Sequence, residues 1–421
     1  MAPETPPLPG RTRLALGLYG VAGALLAPLA LPLLGLHPRL SGGLWQRLGR
    51  WRVEPTDRPP VWLHGSSAGD VAALAPLGGE LAAVGHSLVV SAWTRSGHQM
   101  ALRRRWGEPA PQIFRVPLDL PFVVRGVLRR VRPSMVVLEC LEIWPNLVLA
   151  CQRRGIPVAV VNGRLSRRSA ARYARARWLF GPCFEGLSLV TALTSHDAER
   201  FVSLGVPPRR VTVESSSKHG AAARCRPSAV RQKKLVLGSI HAEEEAHLLP
   251  WVSRLLRELP DLRVEVAPRY PHRAGAILRW FSLRGVRGVA LSRQPDRGPR
   301  PPLLVHDAVG GLASSYSGAG VAFVGGSLNG HGGHNVVEPA ARSVPVLTGP
   351  HTDHCREEVR LLIEAGGAWR VDGGEAFYRL ARRLLERPEE AARRGGQARR
   401  VALCLGASST RIAARLQALL G

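Results

Sequence analysis

Residues 61–93 read VWLHGSSAGDVAALAPLGGELAAVGHSLVVSAW. A short apolar run, VWLHG (61–65), breaks at a Ser/Gly turn into an Ala/Leu-rich helical stretch, and a second apolar run, HSLVVSAW (86–93), follows. Uniformly apolar strands joined by helices predict a parallel sheet buried on both faces, because the crossover helices cover it. The pattern recurs at SMVVLEC (134–140) and PVAVVNG (157–163). It returns at KLVLGSI (234–240), RVEVAP (263–268), PLLVHD (302–307), VAFVGG (321–326) and VPVLTG (344–349). A polar, Ser- and Arg-rich stretch around 214–233 separates the two sets and reads as a linker, and 292–311 reads as a Pro/Arg-rich loop leading into a strand and its exit turn. The expected architecture is α/β: two Rossmann-like domains, 55–220 and 221–421, facing each other across a cleft behind an N-terminal segment, 1–54.

That first segment contains LALGLYGVAGALLAPLALPLLGL (14–36), which carries no charge and is long enough to cross a bilayer core of about 30 Å. Pro28, Pro32 and four glycines weaken a straight spanning helix, and Arg11 and Arg13 in front of it also suit a signal peptide. No small-x-small cleavage site follows, which favours an uncleaved anchor or in-plane helix over a signal peptide or a core helix. Arg39, Arg47, Arg50 and Arg52 after it outnumber the two before, placing the following chain on the cytoplasmic side. The net charge is +27, and all but three of the 58 basic residues are arginine in a chain also rich in Ala, Leu, Gly and Pro. Part of that charge therefore reflects coding bias, while the surface still suits an anionic membrane, phosphorylated lipids or sugar nucleotides. Aromatics at 5%, scattered arginines and the lack of zinc-finger or RNP-like spacing argue against nucleic acid. Six widely spaced cysteines without a CxxC pair fit free thiols in a reducing compartment.

In doubly wound sheets ligands bind at the carboxyl ends of strands, so the residues just after each run matter most. After the first comes HGSSAGDV (64–71), in which Asp70 at a helix mouth is either a cap or a carboxylate available for chemistry. GGSLNGHGGHNVVEPA (325–340) is the densest polar cluster: its glycines permit unusual backbone angles, its amides suit a phosphate or carboxylate, and Asn335 and Glu338 suit a ribose diol. His331 and His334 lack a third ligand at helical spacing, so no metal is expected. GSIHAEEE (238–245) repeats the logic with Ser239 and His241 ahead of an acidic helix start, which is also plain capping chemistry. Arg269 in PRYPHR (268–273) offers a planar fork for phosphate or carboxylate, and Lys218 in SSSKHG stands out because lysine is so rare here.

In order, HGSSAGD, PLDLP (117–121), EIWPN (142–146), NGRLSRRS (162–169), TSHDAERFVSLG (194–205), Lys218, GSIHAEEE, PRYPHR, GGSLNGHGGHNVVEP and VPVLTGPHT (344–352) span nearly the whole chain. This series resembles the Kdo transferases, the bacterial 3-deoxy-D-manno-octulosonic acid transferases of lipopolysaccharide synthesis, which are GT-B glycosyltransferases. The resemblance implies an inverting, metal-independent enzyme that moves Kdo from CMP-Kdo to a phosphorylated lipid A precursor, lipid IVA. It would work on the cytoplasmic face of the anionic inner membrane, without nucleic acid. It implies Asp70 as general base, Lys218 as a transition-state stabiliser and Glu142 as a remaining acid of the Trp-Pro motif. CMP contacts are implied at Ser239, His241, Pro268, Arg269, Val309, Gly310, Gly311, Asn335, Val336, Val337 and Glu338. The pattern departs from the family at three positions: Asp70 stands for a usual glutamate, Cys140 replaces the first acid before Trp-Pro, with Glu139 displaced beside it, and Gly311 replaces a glutamate. A diverged transferase with another ulosonic acid donor or acceptor, or a catalytically impaired paralogue, is the alternative these departures leave open.

Overall fold

The apolar runs form the interiors of two seven-stranded parallel sheets in the computed structural model, which describes residues 10–220, 225–228, 232–294 and 301–420. The first sheet comprises β1 (Val61–Gly65), β2 (Leu88–Ala92), β3 (Gln112–Arg115), β4 (Met135–Glu139), β5 (Val158–Gly163), β6 (Leu189–Ala192) and β7 (Val211–Val213). Its order is β3-β2-β1-β4-β5-β6-β7. The second comprises β8 (Lys234–Ile240), β9 (Arg263–Pro268), β10 (Gly288–Ala290), β11 (Leu303–Val305), β12 (Val321–Val324), β13 (Val346–Thr348) and β14 (Ala368–Arg370). Its order is β10-β11-β9-β8-β12-β13-β14. In each sheet the chain reverses direction beside the first strand, between β1 and β4 and between β8 and β12. That switch point opens a crevice at the strand C-termini where loops can hold a ligand.

All nine runs read as strands are strands of the structure. The five that escaped, β3, β6, β7, β10 and β14, are only three or four residues long, and four of them are sheet edges. An edge strand has a neighbour on one side only, and β7 and β10 contain no fully buried residue, so their apolar signal is weak.

Two apolar clusters cover the first sheet. Trp62, Val136, Leu138 and Val160 face one of them; Val61, Leu63, Met135 and Val137 face the other, as strand alternation requires. The second sheet is covered likewise, by a cluster containing Leu235, Leu237, Val264 and Val266 on one side and smaller clusters around Val324, Val346 and Val236 on the other.

The first unit takes in the chain up to Gly220 and again from Gly406; the second ends at Leu405. The helix Ser408–Gln417 thus belongs to the first unit, with Ile412, Ala413 and Leu416 buried beside Val61 and Leu63. This corrects the expected boundary 221–421: a helix that fills a groove on a remote sheet carries no local mark of its destination. Residues 1–9, parts of the linker (221–224 and 229–231) and 295–300 of the Pro/Arg-rich loop lie outside the described residues.

Helix Gly10–Leu36 is long and apolar enough to cross a membrane. Ala15 and Leu16 are buried in the first unit's core, and the Tyr19 hydroxyl donates to the Asp119 carboxylate at 3.2 Å. Leu14, Leu18, Val21, Leu25, Leu26 and Leu29 are exposed.

Candidate functional site

In the first unit, β1 ends at Gly65 and the chain turns into helix Ala68–Ala83. Ser67 caps that helix, and Asp70 closes a capping box: the Ser67 amide donates to Asp70 Oδ2 at 2.8 Å and the Asp70 amide to Ser67 Oγ at 3.4 Å. Asp70 therefore does cap its helix. It is also only partly buried, and one carboxylate has more acceptor capacity than a single amide uses.

The neighbouring strands bring further acids to the same switch point. Glu139, the last residue of β4, is buried, and its two carboxylate oxygens share a donor from the Asn162 side-chain amide, at 3.0 and 2.8 Å. Burial pushes its carboxyl well above the ordinary range; the Asp70 charge adds to the shift while Asn162 and the Lys218 charge oppose it. Asp70, Glu139 and Lys218 thus share one electrostatic neighbourhood. Burial also raises Glu142, with Asp70 adding to the shift and the Ser66 and Trp144 side chains opposing it. Cys140, at the position of the missing acid, is pushed up to about 11 by burial and by Glu139, so it carries no negative charge at neutral pH.

Asn162 also fixes the segment leading to Lys218. Its amide donates to Ser217 Oγ at 2.7 Å, its oxygen accepts from the Ser217 amide at 2.8 Å, and Ser217 Oγ donates to the Ala73 carbonyl at 2.7 Å. Cys140 and Asn162 have positive φ, 60° and 53°, at the ends of β4 and β5. Such angles are costly for residues with a Cβ and concentrate where a site dictates the backbone. Asn162, Ser217 and the role of Glu139 were missed from the sequence. The available signal was a polar Asn-Gly closing an otherwise apolar strand.

In the second unit, β8 ends through Ser239, again at positive φ (58°), into His241 and helix Ala242–Glu258. His241 Nε2 lies 2.9 Å from His334 Nε2, and the His241 ring stacks on His331 at 4.0 Å. Burial lowers both His241 and His334, the latter to about 4, and the positive charge of Arg269 adds to each shift. The Arg269 charge thus reaches the His241–His334 pair, and the Arg269 amide anchors the turn by donating to the Ile240 carbonyl at 2.8 Å. The Arg269 side chain is exposed, while Pro268 before it is buried. Among the described residues, His241, His331 and Glu243 bring ligand-capable atoms within 4.8 Å of one another and could hold a cation. Stacked imidazoles direct their in-plane lone pairs side by side rather than at a common centre, an indifferent geometry for a metal.

The remaining expected donor contacts divide. Val309, Gly310 and Gly311 form an exposed turn whose glycines have φ of 109° and 77°; a glutamate at Gly311 would be strained on this backbone. Asn335 donates to Glu338 at 3.1 Å and accepts from the Val337 amide at 3.1 Å, so both polar side chains already engage one another. Val336 and Val337 are buried among Val346 and Ala340, so their side chains serve the core and leave only backbone atoms for a ligand.

A family model described as 3-deoxy-D-manno-octulosonic-acid transferase (kdotransferase) matches residues 42–221. The 3-deoxy-D-manno-octulosonic acid transferase of Bordetella pertussis is 31% identical over 399 residues, covering 88% of this chain and 92% of the relative. That of Haemophilus influenzae is 28% identical over 386 residues, covering 87% and 90%. Among solved structures, Acinetobacter baumannii MurG is 13% identical with a TM-score of 0.56, covering 86% of this chain and all (100%) of that one. The UDP-GlcNAc 2-epimerase of Neisseria meningitidis is 14% identical with the same TM-score of 0.56, covering 85% and 100%. These two likenesses bear on the fold alone, and they agree with the two-domain α/β class of GT-B glycosyltransferases. The near end-to-end match to the Bordetella enzyme goes further: this chain belongs to the 3-deoxy-D-manno-octulosonic acid transferase family.

Proposed function

We propose that this transferase moves Kdo from CMP-Kdo to a phosphorylated lipid A precursor, lipid IVA, with inversion at the anomeric carbon and without a metal. Its apolar N-terminal helix would hold it to the cytoplasmic face of the inner membrane. The observation that carries the reading is the convergence of Asp70, Glu139, Glu142 and the Lys218 charge on the switch point of the first sheet.

In this mechanism the acceptor hydroxyl oxygen bonds to the anomeric carbon as the bond from that carbon to the CMP phosphate oxygen breaks and CMP leaves; Asp70 accepts the hydroxyl proton while its other contact, the Ser67 amide, holds the carboxylate in place. The raised Glu139 favours its neutral form, which spares Asp70 a second negative charge beside it. Lys218, on a turn fixed through Ser217 and Asn162, supplies positive charge as negative charge develops. Ser239, His241, Pro268, Arg269, the Val309–Gly311 turn and the Asn335–Glu338 segment would receive the CMP moiety, with Arg269 beside its phosphate.

Mass spectrometry of lipid IVA incubated with CMP-Kdo and the membrane-bound protein tests the reading. Wild type should add the Kdo mass, and Asp70→Ala should lower the rate by about 10²- to 10⁴-fold, the usual range for removing a general base. No mass increment with wild type, or full activity in the alanine variant with circular dichroism unchanged, would refute it. A second reading, transfer of another ulosonic acid or to another acceptor, is favoured by Cys140 in place of an acid; the same assay with alternative pairs distinguishes the two.

A further inference from the structure

Arg47 closes a short helix, Leu44–Arg47, and is completely buried; Arg115, the last residue of β3, is 5% exposed. Arg47 Nη2 donates to the carbonyls of Trp93 at 2.6 Å and Leu40 at 3.2 Å, and Arg115 Nη2 to the Ser41 carbonyl at 3.2 Å. Arg47 Nε and Nη1 and Arg115 Nη1 are buried without a hydrogen-bond acceptor. Among the described residues no carboxylate lies within ion-pair distance of either guanidinium, although the chain pairs many exposed arginines with acids. The other charges nearby are also basic. Arg95, at the start of helix Arg95–Arg103, adds to the lowering of Arg115, and burial lowers His98, with Arg115 and Arg47 adding to the shift.

Buried charge is normally paired, and a buried N–H donor without a partner calls for an explanation. Contact with the Trp93 ring, 4.5 Å from the Arg47 guanidinium carbon, accounts for one face of Arg47 only. Two guanidinium forks with free donors and no acid in reach are the recognition chemistry of a phosphate. The location fits an acceptor. Thr94 Oγ1 donates to the Ser66 carbonyl at 3.0 Å, tying this segment to the turn that carries Asp70. Trp93 packs at 5.4 Å against Trp144, two residues from Glu142. The exposed loop over the pair, His37–Gly43, directly follows the apolar helix Gly10–Leu36.

We propose that Arg47 and Arg115 form a binding subsite for a phosphate monoester on the acceptor lipid, with Arg95 at its mouth. The inference rests on the proposed transfer to a phosphorylated lipid and adds which residues read the phosphate. These donors are closed to solvent beneath the His37–Gly43 loop, whose Leu40 and Ser41 carbonyls the two guanidinium groups hold, so the loop lifts to admit the phosphate; its oxygens then take the unpaired Arg47 and Arg115 donors, and the acceptor sugar extends past Trp93 and Trp144 toward Asp70.

The test uses the full chain in detergent, with CMP-Kdo and two acceptors that differ only by removal of one phosphate monoester at a time. Arg115→Gln should raise the acceptor KM at least tenfold on the acceptor that keeps the recognised phosphate and leave the donor KM unchanged. That penalty should vanish on the acceptor lacking it, and Arg115→Lys should recover part of the loss. Arg47→Gln, checked for an unchanged thermal midpoint, should behave as Arg115→Gln. Equal losses on all acceptors, or none, would overturn the subsite. So would inhibition by inorganic phosphate that Arg115→Gln abolishes without any discrimination between acceptors, since the site would then take free phosphate. If wild type transfers Kdo to neither acceptor, the proposed function fails instead. The subsite is then judged by direct binding of the phosphorylated lipid: weaker binding to Arg115→Gln supports it and equal binding overturns it.

Discussion

Glu244 accepts four backbone amides at once, from His241 (2.9 Å), Gly326 (2.7 Å), Ser327 (3.0 Å) and Leu328 (2.9 Å), and has no exposed surface. It thereby holds the polar loop after β12 against the turn after β8, which sets the backbone on which His241 and His334 meet. Gly325 has to be glycine, because a Cβ there would lie 2.6 Å from both the Ile240 Cα and the Ser239 carbonyl and 2.7 Å from Glu244 Oε2. Glu244→Gln puts an NH₂ against N–H donors and should cost about 3 kcal/mol, the range for leaving buried, charge-assisted donors unsatisfied. Urea denaturation checks this; a loss below about 1 kcal/mol would mean that water replaces the carboxylate. The sequence shows three consecutive glutamates at a helix start, and their capping role is legible. Which one is buried is not, since that depends on amides more than 80 residues away. The same holds for Asn162 and Ser217, which are ordinary turn residues until the fold brings them to Glu139.

Between elements, the motif PLDLP acts through Asp119, whose carboxylate accepts from the Asn146 amide at 3.0 Å and the Leu147 amide at 2.8 Å. It thus caps helix Pro145–Gln152 from a distant loop, in place of the local N-cap Trp144, whose side chain makes no cap bond. The same carboxylate receives Tyr19, so the apolar N-terminal helix is latched to the helix that follows Glu142 and Trp144. Burial raises the Asp119 carboxyl from 3.8 to about 6, against the pull of those donors. The folded protein therefore binds this proton more tightly than the unfolded chain. Stability from this group is greatest below pH 4 and declines as pH rises through about 6. Asp119→Asn, which cannot ionise, should remove that slope. Its stability relative to wild type should rise by up to about 3 kcal/mol between pH 4 and 7, since each tenfold difference in proton affinity between the folded and unfolded states is worth about 1.4 kcal/mol. Denaturation midpoints of the two proteins across that range check it, and parallel curves would place the pKa near its ordinary value. Two motifs far apart in the chain were legible as motifs; that one caps the other was not, because a remote cap leaves no local spacing. Among the strands, the buried central runs announced themselves, while edges such as β7 and β10 did not.

For the whole chain, the return of the C-terminus to the first unit joins two stretches nearly 350 residues apart. Helix Ser408–Gln417 buries Ile412, Ala413 and Leu416 against Val71, Leu74 and Leu77 of helix Ala68–Ala83, the helix whose first turn holds Asp70. It also touches the Lys218 turn, where Ser408 Oγ donates to the Ser216 carbonyl at 3.1 Å. Arg411 donates to Glu214 at 2.9 Å, and Arg415 lies 3.6 Å from the same carboxylate. This helix therefore supports both Asp70 and Lys218, and deleting the chain from Gly406 uncovers two large aliphatic side chains' worth of core, about 3–6 kcal/mol. The deletion should raise amide exchange in helix Ala68–Ala83 and at residues 214–220 while leaving β8, β9 and β12 as protected as in the full chain. Transfer activity should fall through a lower kcat, because the groups that lose support are those proposed to act in the chemical step rather than those proposed to hold CMP. Equal exchange in both sheets, or an unchanged kcat, would show that the first unit holds its site without the helix. A general collapse of protection in the second sheet would show instead that the two units fold as one.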